Sequence, residues 1–413
     1  MPALRRHRLI SARILQGLFM DNVRATPRPA FWLMLSVILV ALNLRPSMAA
    51  VGPLLAGIRG DIALSFSGAA LLTMLPVMAM GLAMFLGMRI GHSLGEHRSM
   101  VVSLLVIGLA TLSRLFIDSA TGLILSAIFA GLGIALIQAL MPALLKSRFA
   151  GNVALFMGLY VTSIMGGAAV AASFAPLVAA DSGSWRLGLA IWAALAVLAL
   201  LFWYGQRAAM PRLPGSVERR ESFAGNRRAW LLAMFFGLGT ASYTCVLAWL
   251  APYYVELGWS EQEAGLLLGF LTAMEVVSGL ATPAIANRSQ DRRRVLVVLL
   301  LLIIAGFCGL ILCPRHLSLL WPCLLGLGIG GLFPMSLIVS LDHLDNPRRA
   351  GGLTAFVQGI GYLVASLSPL LAGVIRDRLG SFEWAWWTLA AVMALMILMA
   401  LRFDPRHYPR HFQ

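Results

Sequence analysis

The sequence predicts an all-α polytopic membrane protein: twelve transmembrane helices, arranged as two six-helix halves related by a pseudo-two-fold axis. Three observations carry that prediction. The 413 residues are 60% hydrophobic and only 12% charged, whereas a soluble domain is about 25% charged and cannot hide so much apolar surface. Apolar runs long enough to cross a bilayer recur twelve times, separated by short polar breaks. The basic residues also fall on alternate sides of those runs.

A spanning helix needs about 20 mostly apolar residues. Span 1, at 30–51, is apolar up to Asn43-Leu44-Arg45-Pro46, where a charge and a proline interrupt it. Span 2 covers 66–88 and gives way to a polar loop that begins at Arg89. Span 3 covers 99–117. Span 4, 120–143, carries Gly131-Leu132-Gly133-Ile134 and then Gln138. Span 5, 152–178, holds Tyr160 and Ser163, and span 6 covers 186–204. Span 7, 229–252, carries Tyr243 and Trp249 and stops at Pro252, as span 1 stops near Pro53. Span 8, 262–286, contains Glu275; span 9 is 295–313. Span 10, 317–340, repeats the glycine pattern as Gly326-Leu327-Gly328-Ile329. Span 11, 351–374, carries Gln358 and Tyr362, and span 12, 383–401, closes the series.

The longest internal polar stretch, 206–228, has prolines, glycine and alternating charges but no apolar period, so it reads as a linker between a first half, 29–205, and a second half, 229–402. Residues 403–413 read as a tail. The glycine pattern of span 4 recurs 195 residues later in span 10; Gly158 and Gly167 of span 5 recur 194 later as Gly352 and Gly361 of span 11. Several matches near one offset in equivalent spans point to duplication. Residues 1–28 are basic with a short apolar run at 9–20, read either as an interfacial helix or as an over-extended start, with translation beginning at Met20 or Met34.

The formal charge of +15 would suggest nucleic acid in a soluble protein. With both termini in the cytoplasm, however, 25 of the 32 basic residues lie in cytoplasmic segments and six, Arg114 among them, on the other side. The surplus is therefore a topology signal, and no nucleic-acid partner is expected. The expected state is a monomer in a lipid bilayer. Four cysteines, Cys245, Cys308, Cys313 and Cys323, lie in or beside apolar runs and are expected as packed, reduced thiols. No zinc motif, nucleophile elbow or phosphate-binding loop occurs, so no metal, cofactor, enzymatic activity or ATP drive is expected. The glycine run at 326–331 lies inside an apolar span with no preceding strand and reads as helix packing.

What remains is secondary transport through a mid-membrane site. Arg45 is the one basic residue placed inside a span; a charge there costs about 2.5–3.5 kcal/mol or more on insertion scales. It reads either as a fork for a small anion or as a structural cation paired with another helix. Glu275 reads either as a proton-coupling carboxyl, since ionising an acid away from water is costly, or as a static partner for Arg45. Asn43, Gln138, Tyr160, Tyr243, Trp249, Gln358 and Tyr362 are candidate substrate-binding residues, Gln358 and Tyr362 sharing a helix face. Arg89 and Arg98 after span 2, and Arg288, Asp291 and Arg292 after span 8, are candidate gating-loop residues that would tie helix ends together.

Several stretches resemble the CynX/NimT (cyanate and 2-nitroimidazole transporter) branch of the major facilitator superfamily, the cyanate side more closely. They are Ala41-Leu42-Asn43-Leu44-Arg45-Pro46, Val51-Gly52-Pro53-Leu54-Leu55, Ala70-Leu71-Leu72-Thr73-Met74-Leu75-Pro76, Ile137-Gln138-Ala139-Leu140-Met141-Pro142, Gln290-Asp291-Arg292-Arg293-Arg294, Leu341-Asp342-His343 and Ala355-Phe356-Val357-Gln358-Gly359-Ile360-Gly361-Tyr362. The resemblance implies a twelve-helix inner-membrane transporter of a small anion or small polar solute. In place of the superfamily's loop motif, which carries an Asp-Arg pair after span 2, this chain has His92-Ser93, and Glu275 stands where the branch leads one to expect a neutral amide. Drug efflux is the alternative function, although span 5 reads Ala172-Ser173-Phe174-Ala175-Pro176 without the glycine-proline motif of drug antiporters. A non-transporting membrane receptor is the second alternative.

Overall fold

The computed structural model describes residues 27–148, 153–206, 222–286, 291–344 and 346–411. Most of the basic N-terminal segment, most of the linker and Arg288 lie outside the described residues. Among the described residues, twelve helices are long and apolar enough to cross a membrane, and each overlaps one of the twelve expected runs. Their outward faces carry apolar side chains such as Leu109, Phe129, Leu201, Leu301 and Leu371. These belong in lipid, because a soluble monomer does not expose so much apolar surface.

The repeated glycines do the same work in both halves. A Cβ on Gly131 would strike the backbone of Pro76 in span 2, and one on Gly133 would strike Ser103 and Ile107 in span 3. Their counterparts Gly326 and Gly328 lie equally close to Leu271 in span 8 and to Leu299 and Ile303 in span 9. Gly167 meets the Leu42 carbonyl of span 1, and Gly361 meets Phe236 and Gly237 of span 7. In lipid, helices associate through close backbone packing, and small residues permit it. The offset seen in the sequence is thus a repeated packing contact.

Span 1 departs from its counterpart. It is split into Pro27–Leu42, Pro46–Ala49 and Leu55–Asp61, whereas span 7 is one helix, Arg227–Glu256. Pro46 has no N–H to donate and clashes with a preceding carbonyl, and Asn43 and Leu44 close short turns onto Val40 and Ala41 at 3.1 Å each. Span 6 is also in two pieces, Trp185–Ala190 and Ala193–Gly205. Local capping fixes other starts. Asn226 accepts from the backbone N–H groups of Arg228 and Ala229 at the head of span 7. Ser260 and Glu263 form a reciprocal capping box at the head of span 8.

The two ends of the bundle differ. At the end where span 6 stops and span 7 starts, here the linker end, the second half is tied by Arg292 to Asp342 (3.2 Å), Arg293 to Asp291 (2.7 Å) and Arg293 to Asp404 (3.3 Å). Arg228 donates to His343 Nε2 at 3.0 Å and to the Arg402 carbonyl at 3.0 Å. Phe403 and Tyr408 are buried, so the segment expected as a tail packs back onto the second half. Phe223 is buried too and faces Gly352, so the linker's last residues are anchored rather than a free spacer.

At the far end, hydrogen bonds cross between the halves. Asp377 of span 11 accepts from the backbone N–H groups of Phe66 (3.1 Å) and Ser67 (2.8 Å) and from the Ser67 hydroxyl (2.6 Å), capping span 2 from the opposite half. Glu261 accepts from Gly57 N–H at 2.9 Å. The Arg59 guanidinium lies 3.7 Å from the centre of the Phe66 ring. Within the first half, Arg186 bridges Asp61 (2.9 Å) and Asp118 (2.6 Å). The Trp185 N–H and Arg186 beside Asp61 hold its carboxyl below the usual carboxylate range.

Two expectations need correction. Cys245 is buried, but Cys313 is exposed, because it follows the last turn of span 9 instead of lying within it. Arg114, counted with the charges of the far side, is fully buried at the end of span 3, so Arg45 is not the only buried cation of the bundle.

Candidate substrate site

The split in span 1 places Arg45 at the head of the four-residue helix Pro46–Ala49, 3% exposed. Its Nη1 points at the Met48 sulfur, 4.0 Å away, and its guanidinium carbon lies 5.3 Å from the centre of the Tyr243 ring. Its Nε is buried and has no protein partner among the described residues. Tyr160 of span 5, Tyr243 of span 7, Glu275 of span 8 and Tyr362 of span 11 all lie near the Arg45 guanidinium. These five residues form one neighbourhood, drawn from both halves.

The static-pair reading of Glu275 does not describe this geometry. No Arg45–Glu275 contact falls within the 4.0 Å of an ion pair, and both Glu275 oxygens are buried without a hydrogen-bond partner among the described residues. The hydroxyls of Tyr160 and Tyr243 are likewise buried and unpartnered. Buried polar groups are normally satisfied, so a cation, a carboxyl and two phenols left open around one point mark a place for polar solute or water. Span 8 brings Glu275 there because Gly330 of span 10 lies against the Glu275 backbone, where a Cβ would overlap it. Ser278, one turn on, donates to the Leu327 carbonyl at 2.5 Å. The Tyr362 ring stands edge-on to Phe236 with centroids 5.5 Å apart.

The other candidates fall elsewhere or make other contacts. Asn43 spends its amide on the carbonyls of Leu39 and Leu195, both at 3.0 Å, and so joins span 1 to span 6. Trp249 donates to the Pro369 carbonyl at 2.9 Å and stacks among Phe66 and Phe382 at the far end. Gln138 is buried on span 4 with its Oε1 unpartnered, and Gln358 is half-buried one turn from Tyr362. Among the gating candidates, Asp291 and Arg292 join the linker-end network, Arg98 is exposed, and the side chain of Arg89 lies outside the described residues. Sequence reasoning missed Met48, three residues after Arg45 and so beside it on a helical turn, and it missed the burial of Arg114.

The sequence profile of the Major Facilitator Superfamily matches residues 33–366 and 291–413. The chain belongs to that superfamily. This major facilitator protein is 40% identical to the cyanate transport protein CynX of Escherichia coli strain K12 over 383 residues, 92% of this chain and 98% of the relative. It is 28% identical to the 2-nitroimidazole transporter of the same strain over 374 residues, 89% of this chain and 94% of the relative. Among solved structures it is similar to a D-xylose–proton symporter (TM-score 0.74, 14% identity, 91% of this chain and 98% of that one). It is also similar to a bacterial homologue of the lysosomal transporter Spinster in an inward-facing, occupied conformation (TM-score 0.72, 14% identity, 94% and 98%). It is a multi-pass membrane transporter of a small-molecule solute, not an enzyme.

Proposed function

We propose that this transporter moves a small anion, cyanate or a solute of like size and charge, across the bacterial inner membrane by alternating access, with Glu275 carrying a coupled proton. One observation carries the reading: the Arg45 guanidinium is buried beside the Tyr243 ring, without a carboxylate in ion-pair contact, in a neighbourhood of unpartnered phenol and carboxyl oxygens. A buried cation costs several kcal/mol unless it is compensated, and a bound anion compensates it. Arg45 and Tyr160 from the first half, with Tyr243, Glu275 and Tyr362 from the second, are the proposed binding groups; Gln138 and Gln358 contribute where their spans face the same space. Arg89, Arg98, Arg288, Asp291 and Arg292 are the proposed linker-end gating residues, with both termini on the cytoplasmic side and the protein acting as a monomer. The relatives named for cyanate and 2-nitroimidazole set the range of solutes to try.

The test is uptake by proteoliposomes offered cyanate, bicarbonate, nitrate and 2-nitroimidazole, with and without a pH gradient. Arg45→Ala should abolish anion uptake in folded protein, and Arg45→Lys should impair it, because a point charge cannot replace a bidentate fork. Glu275→Gln, which mimics the protonated acid, should preserve solute exchange while gradient-driven accumulation collapses. Parental uptake by folded Arg45→Ala refutes the anion site, and parental accumulation by Glu275→Gln refutes the proton carrier.

A further inference from the structure

Arg114 is 1% exposed at the end of span 3, with no carboxylate in ion-pair contact among the described residues. Its hydrogen bonds go to two neutral oxygens. Nε donates to Ser126 Oγ in span 4 at 3.1 Å, and that hydroxyl donates on to the Leu123 carbonyl at 2.7 Å. Nη1 donates to the Ser47 carbonyl in span 1 at 2.8 Å. That carbonyl is open for a definite reason. In a continuous helix it would accept from the N–H four residues on, but Val51 N–H turns back to Met48 instead, at 3.2 Å, as span 1 breaks a second time.

The second half is built differently at the corresponding place. Span 7 is one continuous helix, and there the hydrogen bonds run both ways: Arg315, just past span 9, donates to the Leu257 carbonyl at the end of span 7 at 3.1 Å. The hydroxyls of Tyr253 and Tyr254 in span 7 donate to the carbonyls of Leu310 (2.6 Å) and Pro314 (3.1 Å) at the end of span 9. Among the described residues, the guanidinium that donates from span 3 to span 1 is buried, whereas Arg315, which donates from just past span 9 to span 7, is exposed. Ser47 lies two residues after Arg45 in the same four-residue helix, and the Arg45 carbonyl accepts from Met48 and Ala49 N–H at 3.0 and 2.9 Å. A clamp on Ser47 therefore fixes the turn from which the Arg45 side chain springs.

We propose that Arg114 is a positioning residue for the substrate site: it holds the broken span 1 at Ser47 and so sets where the Arg45 guanidinium stands. The inference rests on Arg45 being the anion-holding group. The burial of a second, carboxylate-free cation is then the cost of keeping span 1 broken beside the end of span 3, where the buried Ser47 carbonyl would otherwise lack a donor.

The test is KM and Vmax for radiolabelled cyanate in proteoliposomes, or for the panel anion the parent takes up if cyanate is refused, together with the melting temperature of each variant. Arg114→Met should raise KM tenfold or more while Vmax per folded protein stays within threefold. Arg114→Lys, which keeps one donor for the Ser47 carbonyl, should return KM to within threefold of the parent. A lowered melting temperature with parental KM in Arg114→Met means a role in stability alone and overturns the proposal. If Arg114→Met does not fold, Ser126→Ala carries the test: loss of the Nε anchor should raise KM about threefold, and an unchanged KM overturns the proposal. Arg45→Ala measured alongside separates the two readings. Parental KM there defeats the anion site itself, whereas lost uptake in Arg45→Ala with unchanged KM in Arg114→Met defeats only the positioning role.

Discussion

Replacing Asp377 with alanine should open the far end of the bundle. Its carboxylate caps the first turn of span 2 through Phe66 N–H, Ser67 N–H and the Ser67 hydroxyl at 3.1, 2.8 and 2.6 Å. Removing an N-cap side chain costs roughly 0.5–2 kcal/mol, and a carboxylate at a helix N-terminus adds about 0.3–1 kcal/mol through the helix dipole. Asp377 is solvent-exposed, so the lower part of each range applies and the sum is about 1–2 kcal/mol. An ordinary cap stabilises its helix in every state. This one comes from the other half, so its loss falls only on the state in which the halves touch at the far end. At 1.4 kcal/mol per decade that is roughly a 5–30-fold shift toward far-end opening. The assay is maleimide labelling of Val51→Cys, buried at 4% exposure on span 1, after the four native cysteines are replaced, with an impermeant reagent on the far side. Asp377→Ala should label about 5–30 times faster than its parent, and Asp377→Asn, which keeps an acceptor, should fall between them. Equal labelling rates in folded protein would refute the cross-half cap as a latch.

Gly330→Ala should lower the melting temperature, because its Cβ would overlap the Glu275 backbone and overpacking costs about 1–3 kcal/mol; Gly351→Ala, where a Cβ meets nothing, is the control in the same fluorescence melt. Replacing 207–221 with a neutral segment of equal length should leave uptake unchanged, whereas Phe223→Ala should destabilise the second half by about 3 kcal/mol, since Phe223 is buried; a melt of both variants checks this. The linker-end pair should be insensitive to pH across the neutral range. The Arg293 guanidinium beside Asp291 holds that carboxyl below its usual range, so its contribution is full above about pH 4 and is lost only as pH falls through the lowered value. Asp291→Asn should therefore flatten the acid limb of a stability–pH curve and leave the curve between pH 6 and 8 unchanged in shape.

The spans were legible because hydropathy is a local property that survives without knowledge of neighbours, and the glycine offset was legible because both halves reuse one packing solution. Pro46 announced the break in span 1, and Arg45 and Glu275 announced themselves as charges in apolar runs. What a linear reading cannot supply is the acceptor on another helix. Asn43 looks like a site residue until the Leu195 carbonyl of span 6 is seen beside it. Trp249 shares span 7 with Tyr243, but lies more than a turn nearer the far end, where Phe66 and Phe382 enclose it. Arg114 stands three residues before the end of its apolar run, where counting charges assigns it to the far side but does not say that it is buried. It turns inward because a carbonyl 67 residues earlier in the chain has lost its donor.

The placement of the cross-half contacts bears on how the site and the far end communicate. Span 8 carries Glu261 at its head and Glu275 fourteen residues on, about 21 Å along one unbroken helix at 1.5 Å per residue. Span 11 carries Tyr362 and Asp377 fifteen residues apart, about 22 Å along another. Spans 8 and 11, which offer Glu275 and Tyr362 to the Arg45 neighbourhood, therefore also hold far-end contacts; span 8 has no proline between the two and moves both together, whereas span 11 has Pro369 between them. On the first-half side, the partner of Glu261 is Gly57 of span 1, the broken span that carries Arg45. A rigid helix facing a jointed one concentrates any relative motion at the joints, residues 43–45 and 50–54. Those are the two segments on either side of Ser47, so Arg114 holds the short piece between the joints while the rods move past it.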